Sequence, residues 1–235
     1  MKWEGIRLAL DKSWLVLCII READNALTFQ TILNRSNLQA KELEEAMGVL
    51  SLGGKIRTFA GDEVKPLLER RFFSVHENRS EIDDLIAGQL PLLAGEACLY
   101  FAYGSDLDPQ LYRSSPGVHF LMKGRLKGYH LTFADNLTGC AGGGMANLCR
   151  SSDGEIWGAV YYLESMKRIF SGGELKIRIP VEGVVGAMCV ESSVFKTHST
   201  LFPSRHYLEK MIAGGQFFGF PQKYLRQVSA MPTID

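Results

Sequence analysis

The chain has 235 residues, 46% of them hydrophobic and 22% charged, which excludes global disorder and leaves room for two domains. Lys plus Arg equal Asp plus Glu at 26 each, so no net field draws the whole molecule toward nucleic acid, anionic lipid or an acidic partner. Five scattered cysteines, Cys18, Cys98, Cys140, Cys149 and Cys189, lack the CxxC spacing of a zinc or dithiol motif and read as reduced, buried thiols of a cytoplasmic protein. The early apolar run at 14–20 is too short for a bilayer and is flanked by charges, so neither a targeting leader nor a membrane partner is expected.

In chain order, apolar residues near helical spacing predict a helix over 8–23. A short helix over 28–35 follows, with Asp24, Asn25 and Thr28 offering capping oxygens. A third helix spans 38–50, with Leu38, Leu43, Ala46, Met47 and Leu50 on one side, and Gly53 with Gly54 ends it before a small strand at 55–59. This order resembles a winged helix-turn-helix domain. The would-be recognition helix carries Lys41 against Glu42, Glu44 and Glu45, and an acidic helix is repelled by phosphates. Docking or dimerisation is therefore expected ahead of nucleic-acid binding, for which Arg35, Lys55 and Arg57 are the only support nearby. Amphipathic helices are predicted over 65–93, and Pro91 with Gly95 places a boundary that gives domains 1–95 and 96–235.

The second domain is strand-rich. Strands are predicted at 97–103, 117–126, 129–134, 145–150, 155–162, 175–181 and 184–195, and helices at 204–213 and 222–228. Short strands in this number suggest a barrel or a strongly curved sheet. The first of them runs Cys98-Leu-Tyr-Phe-Ala-Tyr-Gly104-Ser105-Asp106, and a strand ending in Gly-Ser lets backbone amides approach an anion or an oxyanion. His119, His130, His198 and His206 are dispersed without a metal motif, and Ser204 and His206 sit on alternate helical positions that do not face one another. Gly142 to Gly144 lacks dinucleotide-loop spacing and reads as a turn or bulge.

Taken in order, Tyr100-Phe-Ala-Tyr-Gly-Ser-Asp106, Gly124-Arg-Leu-Lys-Gly128, Gly142-Gly-Gly-Met-Ala-Asn147, Trp157-Gly-Ala-Val-Tyr161 and Pro203-Ser-Arg-His-Tyr207 resemble the γ-glutamylcyclotransferase family over residues 97–228. The resemblance implies an α+β chain, with a small mixed β-barrel behind the mostly helical, winged-helix-like domain. It implies closure of a γ-glutamyl amine or amino acid to 5-oxoproline without a cofactor. It also implies substrate contacts from Tyr100, Phe101, Ala102, Tyr103, Gly104, Ser105 and Tyr207, and a catalytic carboxylate at Glu174. Departures from the family pattern are Asp106 in place of Asn, Ser171 in place of Asp, Leu175 in place of Gly, and a shortened segment after Glu174. The reaction suits a chain without an evident nucleophile. The substrate brings its own α-amine, mostly protonated at neutral pH, so one carboxylate can take its proton and return it to the leaving nitrogen. The alternative expectation is a catalytically inactive ligand sensor coupled to the first domain.

Overall fold

The computed structural model describes residues 3–23, 25–75, 98–134, 143–163, 175–183, 186–195 and 201–234, with the side chains of 3–12, 98, 176, 186–189 and 191 left aside. The chain is mixed α+β and divides into two compact units, Met1–Gly95 with His119–Met122, and Glu96–Val118 with Lys123–Asp235. Among the described residues, no helix is long and apolar enough to cross a membrane.

In the first unit α1 (Trp3–Glu22) is buried on all sides from Trp14 to Ile20, as a helix apolar around its whole circumference must be. β1 (Leu27–Thr28) leads into α2 (Phe29–Ser36), capped by the Thr28 hydroxyl, which accepts the Thr31 amide at 3.1 Å, and closed by Asn37 at φ 57°. α3 (Ala40–Leu52) buries Leu43, Ala46, Met47 and Leu50, the face that its periodicity marked. β2 (Ile56–Thr58) and β3 (Arg71–Ser74) complete a sheet of order β1-β3-β2.

The helix expected from residue 65 is absent over 65–75; a single 3₁₀ turn, Leu67–Glu69, is followed by β3. Its cause is Asp62, 1% exposed, whose carboxylate accepts the Arg71 amide at 3.0 Å and the Arg71 guanidinium at 2.7 Å. That clasp turns the chain back so that Phe72 pairs with Leu27 on one side and Thr58 on the other, and strand pairing overrides an ambiguous apolar pattern. The rest of the expected helical stretch, 76–93, lies outside the described residues.

The second unit contains β4 (Cys98–Ala102), a 3₁₀ turn at Ser105–Leu107, α4 (Pro109–Arg113), β5 (Val118–Ala134), β6 (Met145–Leu163), β7 (Leu175–Gly183), β8 (Gly186–Val194), α5 (Arg205–Phe218) and α6 (Gln222–Ser229). The strand order is β4-β6-β5-β7-β8. β4 runs antiparallel to β6 from Cys98↔Leu163 to Ala102↔Ala159, and meets β8 in parallel at Tyr100↔Glu191. β7 and β8 form a hairpin, and β7 meets β5 at Arg125↔Glu182.

The strands expected at 117–126 and 129–134 are one strand, as are those expected at 145–150 and 155–162. Gly128, at φ +78°, bends the first without ending it. Gly154 sits where a Cβ would lie 2.2 Å from the Tyr129 carbonyl oxygen, so a turn-like composition marks a close strand approach. Likewise α5 continues past the glycines expected to stop it. A Cβ on Gly214 would lie 2.2 Å from the Leu107 carbonyl oxygen, and the helix ends only at Gly219, φ 77°. The contact seats α5 directly on the turn that follows β4. Tyr112 of α4, Tyr161 of β6 and Phe218 of α5 lock these elements together, with ring centroids 5.4–5.7 Å apart.

Candidate active site

β4 delivers Tyr100 and Tyr103 to one place, and the chain then tightens into the 3₁₀ turn that carries Ser105 and Asp106. Asp106 is clamped within its own turn: one carboxylate oxygen accepts the Gly104 amide at 2.9 Å, the other the Tyr100 hydroxyl at 2.7 Å. Tyr161 reaches the same turn from β6, its hydroxyl donating to the Asp106 carbonyl at 3.1 Å. β8 closes the side, with the Ser193 hydroxyl 3.0 Å from that of Tyr100 and the Ser193 carbonyl accepting from Tyr103 at 2.5 Å.

Tyr207 enters from the first turn of α5. Ser204 caps that helix by accepting the Tyr207 amide at 3.2 Å, a role that leaves no basis for a serine nucleophile. The helix start rests on two glycines. Gly143, at φ +137°, would place a Cβ 2.7 Å from the Ser204 nitrogen, and the Gly144 amide donates to the Phe202 carbonyl at 2.9 Å. So positioned, the Tyr207 hydroxyl accepts the amides of Ser105 at 3.2 Å and Ala146 at 3.0 Å, and its ring packs edge-on against Phe133 at 6.2 Å. Gly104 makes this approach possible, because a Cβ there would lie 2.9 Å from the Tyr207 hydroxyl oxygen.

Burial holds the phenols of Tyr100 and Tyr161 well above their ordinary range, and the Asp106 charge raises both further. Tyr207 is raised for the same leading reason, with its two amide donors pulling the other way. All three therefore stay protonated at neutral pH, and Tyr100 and Tyr161 donate their protons within the turn. Tyr207 accepts two N–H groups, and the Ser105 side chain also hydrogen-bonds its hydroxyl.

The structure thus brings together Tyr100, Tyr103, Gly104, Ser105 and Tyr207. Phe101 and Ala102, expected beside them, are fully buried; Phe101 packs where Cβ atoms on Gly124 and Gly158 would touch its ring, 3.1 and 2.6 Å away. Glu174 lies outside the described residues. Cys149 is exposed, against the expectation of buried thiols, because it occupies an outward position near the start of β6; Cys18 is buried and its thiol is pushed up by burial and by Glu22.

No protein-family model matches the chain. A curated γ-glutamylcyclotransferase of Mus musculus is 28% identical over 151 residues, 58% of this chain and 80% of its own length. The Homo sapiens protein is 26% identical over 153 residues, 60% of this chain and 81% of its own. A solved γ-glutamyl cyclotransferase structure superimposes with a TM-score of 0.54 at 25% identity, covering 60% of this chain and 90% of that one. This segment is γ-glutamylcyclotransferase-like.

Within the γ-glutamylcyclotransferase-like segment, several residues of the site escaped the sequence reading. Asp106 stands out in the sequence only as a replaced Asn, because its bond to an amide two residues earlier runs opposite to the usual Asx turn and has no local signature. Asn147 ends the Gly142–Asn147 motif, which by itself assigns it no role. Its side-chain amide donates to the Phe195 carbonyl at 3.1 Å and accepts the Phe195 amide at 3.0 Å, tying β6 to the end of β8 as a neighbouring strand would. Tyr161 and Ser193 carry no local signal, since their roles depend on strand pairing across distant sequence.

Proposed function

We propose that this chain is an enzyme that closes a γ-glutamyl amine or γ-glutamyl amino acid to 5-oxoproline, releasing the amine, within a small barrel formed by the second unit. The observation that carries the reading is the Tyr207 hydroxyl, held by two amides over the Gly104–Asp106 turn. In the reaction the substrate α-amine attacks its own δ-carbonyl. The new ring C–N bond forms, the amide C–N bond breaks, and one proton passes from the attacking nitrogen to the leaving nitrogen. Protonated Tyr207 donates to the oxygen that gains charge on the δ-carbon, a preorganised contact of the kind that supplies much of such a rate enhancement. Folding the substrate so that its amine meets its carbonyl supplies a further large part. Glu174 is assigned the proton transfer, by its place in the motif order, and no cofactor is required. Supplying γ-glutamyl amino acids and amines and measuring 5-oxoproline tests the reading. Turnover by wild type and a loss of about a hundredfold or more in Glu174→Gln are expected, and equal rates would remove Glu174 from the mechanism.

A second reading is favoured by one feature of the turn: the Gly104 and Ser105 amides are both engaged within the protein, by Asp106 and Tyr207. We infer from this that an inactive, ligand-sensing form of the same pocket is the alternative, with the winged-helix-like first unit as its output. The helix order and the β1-β3-β2 sheet of that unit support the winged-helix description. Ligand-dependent, salt-sensitive retention of DNA, with no 5-oxoproline formed, would favour the sensor.

A further inference from the structure

In the tyrosine cluster of the second unit the hydroxyl protons can be assigned one by one. Asp106 takes the Gly104 amide on one carboxylate oxygen and the Tyr100 proton on the other, at 2.9 and 2.7 Å, so it is an acceptor at both. Tyr100 has a single proton, and the carboxylate holds it. The 3.0 Å contact between the Tyr100 and Ser193 hydroxyls must therefore run the other way, with Ser193 donating. The shift of the Tyr100 phenol agrees: Asp106 raises it and Ser193 lowers it, as an acceptor and a donor must. Tyr103 in turn gives its proton to the Ser193 carbonyl.

The protons of Tyr100, Tyr103 and Ser193 are thus committed within the protein, and what these groups offer a ligand is oxygen lone pairs beside a carboxylate. Ser193 is half-buried, and among the described residues its Oγ meets no partner besides Tyr100. Such a surface favours a hydrogen-bond donor that carries positive charge. An uncharged amide at 106 would give the opposite polarity. With its oxygen on the Gly104 amide, its NH2 would donate to Tyr100, Tyr100 would donate to Ser193, and Ser193 would turn its proton outward. One charge decides whether a hydroxyl two hydrogen bonds away gives or takes.

We propose that Asp106 is a positioning residue that, through Tyr100, holds Ser193 as the acceptor for the α-ammonium of the substrate. The inference rests on the cyclotransferase reading and adds a determinant that the family motif, with Asn at this position, does not assign. Tyr207 is seated on Ser105, the residue before Asp106, so the δ-carbonyl and the α-ammonium of one γ-glutamyl group meet neighbouring parts of a single turn. The same charge acts against the chemistry, because it stabilises an ammonium that must lose its proton before attack. Around Asp106 stand the phenols of Tyr100 and Tyr103 from β4, Tyr161 from β6 and Tyr207 from α5, the Ser193 hydroxyl from β8, and the Asp108–Lys210 pair at 3.4 Å. All of these are common to wild type and an Asp106 variant, so a pH profile that moves on substitution reports the amine.

The test compares L-glutamate with glutarate, which differ only in the α-ammonium and carry no amide to break. Calorimetry is expected to find wild type about tenfold tighter for L-glutamate, and Asp106→Asn and Ser193→Ala each to bring the two within about twofold. Ser193→Ala keeps the Asp106 charge and its bond to Tyr100, so loss of preference in this variant is the mark of the relay. A second readout uses the reaction. With γ-glutamyl-L-alanine, Asp106→Asn should raise KM and shift the ascending limb of the kcat–pH profile to lower pH by about 0.5–1 unit, because the bound ammonium loses a nearby negative charge. A merely structural defect would lower kcat without moving the limb, and that result counts against the proposal. Equal affinity of wild type for the two acids overturns it, as does a preference kept in Ser193→Ala. Ammonium preference with no 5-oxoproline formed from any γ-glutamyl compound supports the positioning role and overturns the cyclotransferase reading instead.

Discussion

Replacing Tyr207 by Phe removes one oxygen and leaves the ring where it packs, edge-on to Phe133. What it strands is the pair of amides, Ser105 and Ala146, that this oxygen accepts at 3.2 and 3.0 Å. A buried donor left without an acceptor costs about 1–3 kcal/mol. Ala146 is 5% exposed and pays most of that, while Ser105 is half-buried and recovers part of its loss to water. The expected destabilisation of the second unit is therefore about 2–3 kcal/mol, or a fall in Tm of roughly 5–10 °C for a unit of this size. Tyr161→Phe is the comparison. It deletes a single donated bond, to the Asp106 carbonyl at 3.1 Å, and an under-satisfied carbonyl is better tolerated than an orphaned amide, so about 1 kcal/mol is expected. Both variants are measured by urea and thermal unfolding. A Tyr207→Phe loss no larger than that of Tyr161→Phe would refute the claim that the hydroxyl anchors the turn, and 5-oxoproline formation at the wild-type rate would remove it from the chemistry as well.

Gly214→Ala sets two effects against each other: better helix propensity gains about 1 kcal/mol, but the new methyl lies 2.2 Å from a backbone oxygen of Leu107 and overpacking against rigid backbone costs about 1–3 kcal/mol. Net destabilisation by calorimetry is expected, and a stabilised variant would refute the close contact. In the first unit, Arg71 and then Lys65 hold the Asp62 carboxyl far below its usual range, so its contribution to stability is present above about pH 4 and is lost as pH falls toward the folded-state value. A Tm series from pH 6 to pH 2 should show an acid decline in wild type that is weaker in Asp62→Asn. At the other extreme, Tyr100, Tyr161 and Tyr207 have raised phenols, so their share of stability is complete below about pH 10 and is lost as pH climbs through the folded values. Titration followed at 295 nm should find them ionising together with alkaline unfolding, and early reversible ionisation of all three would contradict their burial.

Periodicity was a sound guide where a helix has one apolar face: Leu43, Ala46, Met47 and Leu50 of α3 are buried as their spacing predicts. Glycine was the less reliable signal. Gly128, Gly154 and Gly214 all read as breaks, yet the first bends a continuous strand and the other two mark places where backbones approach too closely for a side chain. Composition is the same in both cases, and only the neighbouring chain distinguishes them. The site shows a similar limit. The contiguous Tyr100–Ser105 segment was legible, whereas Asp106 as a clamp, Ala146 as the second donor to Tyr207, and Ser193 on a strand ninety-odd positions away required the pairings β4 makes with β6 and β8. Strand 71–74 was missed because the Asp62 clasp that creates it joins residues nine apart through side chains.

Gly214 and Tyr207 belong to one rigid rod, so the touch of that rod on Leu107 and its hydroxyl on Ser105 grip the same short bend at two points. A body held at two points can turn only about the line that joins them. Alignments of related chains are expected to keep the spacing from 204 to 214 constant, and an insertion between Tyr207 and Gly214 should separate the two contacts.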